Sequence, residues 1–197
     1  YLPMAFIALA VYLLAQNNYM KLAFTGFAAF GAALCIYRAP VFASDEAFYK
    51  ELWRMDQSQF NAAVGLGVHY LSARQMDEAE IWIKRALEIN PRHAVAVNAL
   101  GSFYFLTSRD REIIQEIEPL LLEKTFLDYN LTETRPIAAL YRLLGLTHHR
   151  LQHWDLALRY YCMHLAMDHS RPEVQREFDL FREEMKSKTG QSLACPF

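Results

Sequence analysis

The sequence lacks clustered charge and the short motifs of common active sites. Its 197 residues include 20 Lys and Arg against 22 Asp and Glu, a net charge of -2, and no clustered basic segment. Phosphate contact requires several Lys or Arg together, so we expect no nucleic-acid partner. GxSxG, HExxH and phosphate-binding glycine loops are also absent from the sequence. We therefore predict no catalytic residue, no cofactor site and no metal site, and we expect that the chain is not an enzyme.

Cysteine is scarce as well. The chain contains only Cys35, Cys162 and Cys195. Their number is odd and their spacings are long, which indicates neither a disulfide framework nor a CxxC metal knuckle. We expect packed free thiols, and this use of cysteine leaves the redox compartment open.

Charge is nearly missing from the first 43 residues, whose only charged side chains are those of Lys21 and Arg38. Two apolar runs follow one another there, at residues 2–15 and 22–37. A helix needs about 20 residues to cross a bilayer core of about 30 Å. The second run reaches this length if its flanking cations extend toward the headgroups. The pattern predicts a transmembrane helical hairpin over residues 1–43 and an integral membrane protein.

The predicted hairpin turns at residues 16–20. Small residues at helical spacing, Gly26, Ala29 and Ala33, would let another transmembrane helix approach closely. One cation on either side of the second run leaves the membrane orientation open. A buried soluble hairpin is the alternative interpretation. Because the chain begins at Tyr1 rather than at Met, we also expect residues upstream of it.

The rest of the chain contains a repeated pattern of small and aromatic residues. The first unit is marked by Leu66-Gly67, Tyr70, Ala79, Ile83, Ala86 and Pro91, and the second by Leu100-Gly101 and Tyr104. A third set follows at Leu144-Gly145, Ala157 and Tyr161, where His148 and His164 depart from the pattern. A period of 34 residues is typical of tetratricopeptide (TPR) repeats, each a pair of antiparallel helices. In these positions the chain resembles the TPR family.

The resemblance implies an all-α fold, an α-solenoid of about three TPR helix pairs with a C-terminal capping helix. We expect Pro119 to kink the second helix of the second repeat or to end it early. The predicted segments are a linking helix (44–59), a TPR domain (60–187) with repeats at 60–93, 94–124 and 138–171, an insertion at 125–137, a capping helix at 172–187 and a tail at 188–197.

Stacked TPR helices bind partners in a groove that is lined by the first helix of each pair. Projecting the helical period predicts a groove lined by Asn61, Val64, Val68, Leu71, Asn98, Ser102, Phe105, Arg142, Leu146, His149 and Arg150. The first two repeats supply Asn but no groove-facing cation, so the Lys/Arg and Asn clamp that some TPR domains use for C-terminal carboxylates is incomplete. A protein or peptide partner with apolar anchors fits better. Alternatively, some of these residues pack on the insertion or on neighbouring helices.

Two further patterns are weaker. His149 and His153 are four residues apart, which would place both on one face of a continuous helix. The repeat pattern puts a turn at residues 152–155, however, and no acidic residue or Cys completes a metal site, so solvated or half-buried histidines are the better interpretation. Asn130-Leu131-Thr132 matches a glycosylation sequon, which also arises by chance.

Two functions remain open. The TPR resemblance implies a membrane-anchored scaffold that binds a partner and helps assemble or localise a membrane complex, similar to small TPR proteins of the bacterial inner membrane. A weaker resemblance of residues 1–70 implies the alternative, the non-catalytic C-terminal region of a larger multi-span membrane glycosyltransferase in protein O-glycosylation or polysaccharide assembly. It rests on Tyr1-Leu2-Pro3 before an apolar run, Arg38, Ser44-Asp45-Glu46, Tyr49 and Leu52.

Overall fold

A computed structural model of the protein describes residues 18–38, 41, 43–168, 172–190 and 195. Within these ranges the regular structure is entirely helical and comprises ten helices. The predicted all-α class is therefore confirmed. The helices are α1 (Asn18–Arg38), α2 (Asp45–Met55), α3 (Phe60–Ser72), α4 (Met76–Ile89), α5 (Ala94–Leu106), α6 (110–122), α7 (Lys124–Tyr129), α8 (Thr134–Arg150), α9 (Trp154–Met167) and α10 (Pro172–Thr189).

The chain divides into two compact units, residues 1–51 and 52–197. In the first unit, α1 is a single helix of 21 residues. Lys21 and Arg38 leave 16 uncharged residues between them, which span about 24 Å at 1.5 Å per residue, short of a core of about 30 Å. Among the described residues, none of the helices has the length and apolar character that a membrane crossing requires. The predicted integral membrane location is therefore wrong.

The predicted hairpin is not supported either. Its first run, residues 2–15, lies outside the described residues. Its predicted turn at 16–20 overlaps α1, which is already helical at Asn18. The small residues that were expected to contact another transmembrane helix are exposed on α1: Gly26, Ala29 and Ala33. A Cβ added at Gly26 would meet no atom within 4 Å, so the partner helix is unsupported as well.

The second unit consists largely of helices packed in consecutive pairs. Helix α3 packs against α4 and α8 against α9, while α5 contacts the pair before it, α6 and α8. Close approach within the pairs depends on glycine. A Cβ added at Gly67 would lie 2.8 Å from Ile83 Cγ1, and one at Gly145 would lie 3.2 Å from the ring of Tyr161. The missing side chain lets the two helices of each pair come together.

The turn inside each pair has the same backbone geometry. Arg74, Ser108 and Gln152 have φ angles of 60°, 58° and 60°, in the left-handed region. In each turn the following amide donates to a carbonyl five residues back: Gln75 to Tyr70, Arg109 to Tyr104 and His153 to His148, at 2.8–2.9 Å. This is the Schellman ending of a helix. The turns are separated by 34 residues (108 − 74) and 44 residues (152 − 108), the same intervals as the three glycines.

Helix α6 is continuous but contains a π turn. Asp110–Glu112 and Glu118–Leu122 are α-helical, and Ile113–Ile117 between them forms the π turn. Proline in an α-helix lacks the N–H donor and clashes with the carbonyl four residues earlier. The π turn lies directly before Pro119 and is the distortion that the sequence led us to expect. The helix does not end at the proline, because it continues to Leu122.

The insertion predicted at 125–137 is mostly ordered, with α7 and a buried asparagine. Asn130 is 2% exposed, and its Oδ1 accepts a hydrogen bond from Ala94 N at 2.9 Å. Its Nδ2 donates to the carbonyls of Arg92 at 2.8 Å and Phe126 at 2.9 Å. Asn130 therefore caps the first turn of α5 from a distant segment. Because this amide is buried and engaged, the folded chain does not present the sequon for glycosylation.

The same segment binds the loop between α4 and α5. Arg92 donates to Glu123 Oε2 and to Thr125 Oγ1, both at 3.1 Å. Asn90 Nδ2 lies 2.9 Å from the hydroxyl of Tyr129, at the end of α7. These contacts hold α7 against the connection between the first two helix pairs.

Cys162 and Cys195 form a disulfide, with their Cα atoms 5.5 Å apart. The expectation of packed free thiols is therefore wrong for these two residues, and Cys35 is free but exposed rather than packed. A separation of 33 residues carries no pairing signal in the sequence. The bond ties residue 195 to α9, beside the apolar cluster in which Phe178 and Phe181 of α10 pack.

We expect Asn130→Ala to lower the free energy of unfolding by about 2–4 kcal/mol, because three hydrogen bonds are lost and their backbone partners stay buried. Urea unfolding followed by circular dichroism measures this change. Asn61→Ala, at an exposed position of α3, is the matched control and should change stability by less than about 0.5 kcal/mol. Equal stability of wild type and Asn130→Ala would contradict the capping role.

We expect Gln152→Gly to raise the free energy of unfolding by about 0.5–1 kcal/mol, because glycine adopts a positive φ without a Cβ clash. Gln152→Ala removes the same exposed side chain but keeps the Cβ, so it is the control and should not stabilise. Thermal unfolding of the three proteins gives the comparison. A lower stability of Gln152→Gly than of wild type would contradict the positive φ at residue 152.

Candidate functional site

Four of the predicted groove residues lie together between α3 and α5. Val68 and Leu71 face the groove from α3, and Asn98 and Ser102 face it from α5. The groove has a volume of about 400 Å³. Its other lining residues are Ser72, Arg74, Val95, Ala99 and Leu106. The first two helix pairs thus form a concave surface at the predicted place, while its binding role stays a prediction.

The groove combines an apolar wall with polar groups. Val68 is 46% exposed and Leu106 39% exposed, so apolar surface is open to a ligand. Asn98 and Ser102 are partly buried, and no hydrogen bond within the described residues engages either side chain. Hydrogen-bonding groups in such a position are available to a partner's backbone or side chains.

Arg74 adds a positive charge to this groove. It lies in the turn after α3, and no salt bridge of the described part of the chain involves it. The sequence led us to expect no groove-facing cation from the first two repeats, but Arg74 is among the residues that line the groove. Projecting a helical period onto α3 omits Arg74 because the residue follows the helix. Its place directly after the last groove-facing turn of α3 was the only signal that could have indicated it.

Other predicted residues have packing roles. Asn61 is exposed and lies outside the groove lining. Val64 is buried in a cluster with Ala86 and Ala96 and so cannot contact a partner. Phe105 lies beneath Arg150, whose guanidinium carbon is 4.3 Å from its ring centroid and whose charge pairs with Asp110.

The predicted groove residues of the third pair contact α10. Arg142 Nε lies 2.8 Å from Glu177 Oε2, and His149 Nε2 lies 3.2 Å from Glu184 Oε2. Leu146 packs against the apolar cluster that includes Phe178 and Phe181. These residues are therefore covered by a neighbouring helix, which is the alternative that the sequence left open. The open groove ends at α5 instead of continuing along α8.

A polar cluster joins α6 to α8 and α9. Tyr160 donates its hydroxyl to Glu118 Oε1 at 2.6 Å, and His148 Nε2 lies 3.4 Å from the same oxygen. His148 is 2% exposed, with its Nδ1 3.3 Å from His153 Nδ1. Burial, reinforced by Glu118, raises the pKa of Tyr160 well above its usual range. This cluster connects the second and third helix pairs.

His149 and His153 contact different neighbours. His149 faces α10, whereas His153 lies beyond the Schellman turn and contacts His148, so the two do not share a helix face. In the described ranges, no group of three or more His, Cys, Asp and Glu side chains is placed to hold a metal ion. The interpretation as solvated or half-buried side chains suits His149 and His153 better than a ligand role.

A second tyrosine joins the two helices of the second pair. Tyr104 donates its hydroxyl to Glu116 Oε2 at 2.9 Å, and the guanidinium carbon of Arg109 lies 4.6 Å from its ring centroid. Arg109 also pairs with Glu112 at 2.7 Å and reaches Glu80 of α4 at 3.8 Å. Burial and the hydrogen bond to Glu116 raise the pKa of Tyr104 to about 12.

Comparison with known proteins gives one partial likeness and no family match. No family model matches the chain. A curated relative is Anaphase-promoting complex subunit 3 of Schizosaccharomyces pombe, 34% identical over 56 residues. The match covers 28% of this chain and 8% of that protein, so the chain spans only a small part of the relative's length. Together with the all-helical fold, this likeness fits a TPR-like repeat protein, and it gives no support to a resemblance to membrane glycosyltransferases.

The raised pKa of Tyr104 predicts a loss of stability in alkali. An unfolded tyrosine loses its proton near pH 10, and Tyr104 in the folded chain loses it near 12. Its contribution to stability is therefore complete below pH 10 and declines as the pH rises toward 12. Urea unfolding at several pH values should show a smaller decline for Tyr104→Phe, which cannot ionise. The same pH dependence in both proteins would contradict this assignment.

Proposed function

We propose that the repeat domain binds an extended segment of a partner protein in the groove between α3 and α5. The observation that carries this proposal is the meeting of exposed apolar surface with the unengaged side chains of Asn98 and Ser102. An apolar concave surface with a few polar groups is the usual composition of a binding site. The likeness to a complex subunit also favours a role in protein assembly.

The spacing of the polar groups suits an extended chain. Asn98 and Ser102 are four residues apart on α5, which corresponds to about 6 Å along a helix axis. Alternate residues of an extended peptide are separated by about 6.6 Å. An asparagine amide both donates and accepts, so Asn98 can bond a backbone N–H and a backbone C=O of the peptide. Ser102 then reaches the next peptide residue that faces the same side of the groove.

The groove also selects side chains. Val68, Leu71 and Leu106 offer contact to one apolar side chain of the partner. Arg74 lies in the turn after α3 and would pair with an acidic side chain of the partner close to this apolar residue. We therefore propose a partner segment that places an apolar residue close to an acidic one.

We also propose that the chain acts as a binding module and not as a catalyst. Nucleophilic catalysis needs a nucleophile in hydrogen-bond contact with a base, beside a site for the reacting group. The polar cluster of Glu118, His148 and Tyr160 instead contacts side chains of neighbouring helices. Its position between helix pairs favours a structural role.

The test uses a displayed library of random peptides selected on the full chain. We expect the selected peptides to be enriched in apolar and acidic residues. Val68→Glu should weaken their binding at least tenfold, because it places a negative charge on the apolar wall. Asn98→Ala should weaken it about tenfold through lost hydrogen bonds. Isothermal titration calorimetry with a selected peptide measures both changes.

The matched control is Ile81→Glu on α4. Ile81 is 52% exposed and lies outside the groove lining, so the same chemical change there should leave affinity unchanged. Circular dichroism shows whether all variants keep the helical fold. Peptides that bind wild type and Val68→Glu equally well would exclude this groove as the binding site.

A further inference from the structure

Helix α10 contacts a surface of α8 that corresponds in sequence position to the groove side of α5. Arg142, Leu146 and His149 occupy the positions in α8 that Asn98, Ser102 and Phe105 occupy in α5. Each contacts α10, two of them through Glu177 and Glu184 and the third through the apolar cluster. This surface of the third helix pair is therefore in contact with α10.

The polar part of this contact is weak. The Arg142 side chain is 47% exposed and the Glu184 side chain 49% exposed. Ion pairs so close to solvent contribute little because water and salt screen them. The remaining attachment is a single apolar stripe along α10, made of Val174, Phe178, Phe181 and Met185. A covalent restraint adds to the attachment that this buried stripe provides.

The disulfide is such a restraint. It joins Cys162 in α9 to Cys195 beyond the end of α10, with a sequence separation of 33 residues. Helix α10 is thereby held at both ends, by the chain after α9 and by the sulfur bond. Closing a loop of this length restricts the detached state and disfavours it on the order of 10²-fold. Cys162 is fully buried and Cys195 is partly buried.

We propose that the Cys162–Cys195 disulfide is a redox latch that holds α10 over the third helix pair, and that reduction lets α10 detach and lengthens the groove onto α8. This rests on the proposed function of the groove, which it extends by a form of regulation. The ligand surface gained on opening carries Arg142, Leu146 and His149.

The reductant is a dithiol. One of its thiolates attacks Sγ of Cys195, the less buried of the two sulfurs, forms a mixed disulfide and releases the thiolate of Cys162. The second thiol of the reductant, as its thiolate, then displaces Cys195 from the mixed disulfide. The dithiol ends as a disulfide, and both cysteines end as thiols after taking up one proton each. Two electrons have passed to the protein.

Hydrogen exchange measured by mass spectrometry on the full chain tests the latch. Amides of α10 should exchange on the order of 10²-fold faster after treatment with dithiothreitol, while those of α3 and α5 should not change. Cys195→Ser should show the fast exchange without reductant and no further response to it. Cys35→Ser is the matched control, because it removes a free, exposed thiol, and it should behave as wild type.

A second readout follows the covered surface. Carbethoxylation of His149 by diethyl pyrocarbonate should be slow in the oxidised chain and faster in Cys195→Ser without reductant. Unchanged exchange of α10 on reduction would overturn the latch, as would faster exchange of α3 and α5 to the same extent. A native chain in which all three thiols titrate would overturn it too. No readout requires a partner, so failure of peptide binding between α3 and α5 is a separate result.

Discussion

The missing Cβ of three glycines is the constraint on which the packing of the second unit depends. Gly67 and Gly145 admit a side chain of the other helix of their own pair, Ile83 and Tyr161 respectively. Gly101 differs, because the nearest side chain to its absent Cβ is Leu143, which belongs to the next pair. Gly67 and Gly145 therefore allow close packing within a helix pair, and Gly101 allows close packing between two pairs. An alanine at any of the three positions would require the neighbouring side chain to shift.

The irregular middle of the array contains both Pro119 and a bulky residue at a position that is small in the first repeat. Ile113 stands where the first repeat has Ala79, and both are fully buried. The larger side chain is accompanied by the π turn, after which buried residues follow at Ile117 and Leu121, every fourth residue. The chain then returns across the start of α5 instead of entering the third pair directly. The departure from a regular solenoid thus combines a π turn in α6 with an insertion that packs at the start of α5.

The sequence predicted what is encoded locally. Small residues at a fixed period indicated the helix pairs, because each marks a contact between helices that are close in the chain. Arg74 was missed since a helical projection stops at the helix end. The covering of Arg142 and His149 by α10, and the pairing of Cys162 with Cys195, depend on contacts over about 35 residues that no short pattern encodes. The membrane prediction gave too much weight to an uncharged run that is shorter than a bilayer core.

The cap that Asn130 places on α5 has a consequence for cooperativity. In a simple repeat array, each unit interacts only with its neighbours, and stability is close to a sum of local contributions. Here the first amide of α5 finds its acceptor 36 residues later, in a segment that lies beyond the partner helix of α5. The second pair therefore cannot reach its full stability until the segment that follows it has docked. That dependence makes the array behave less like a row of separable units and more like one folding domain.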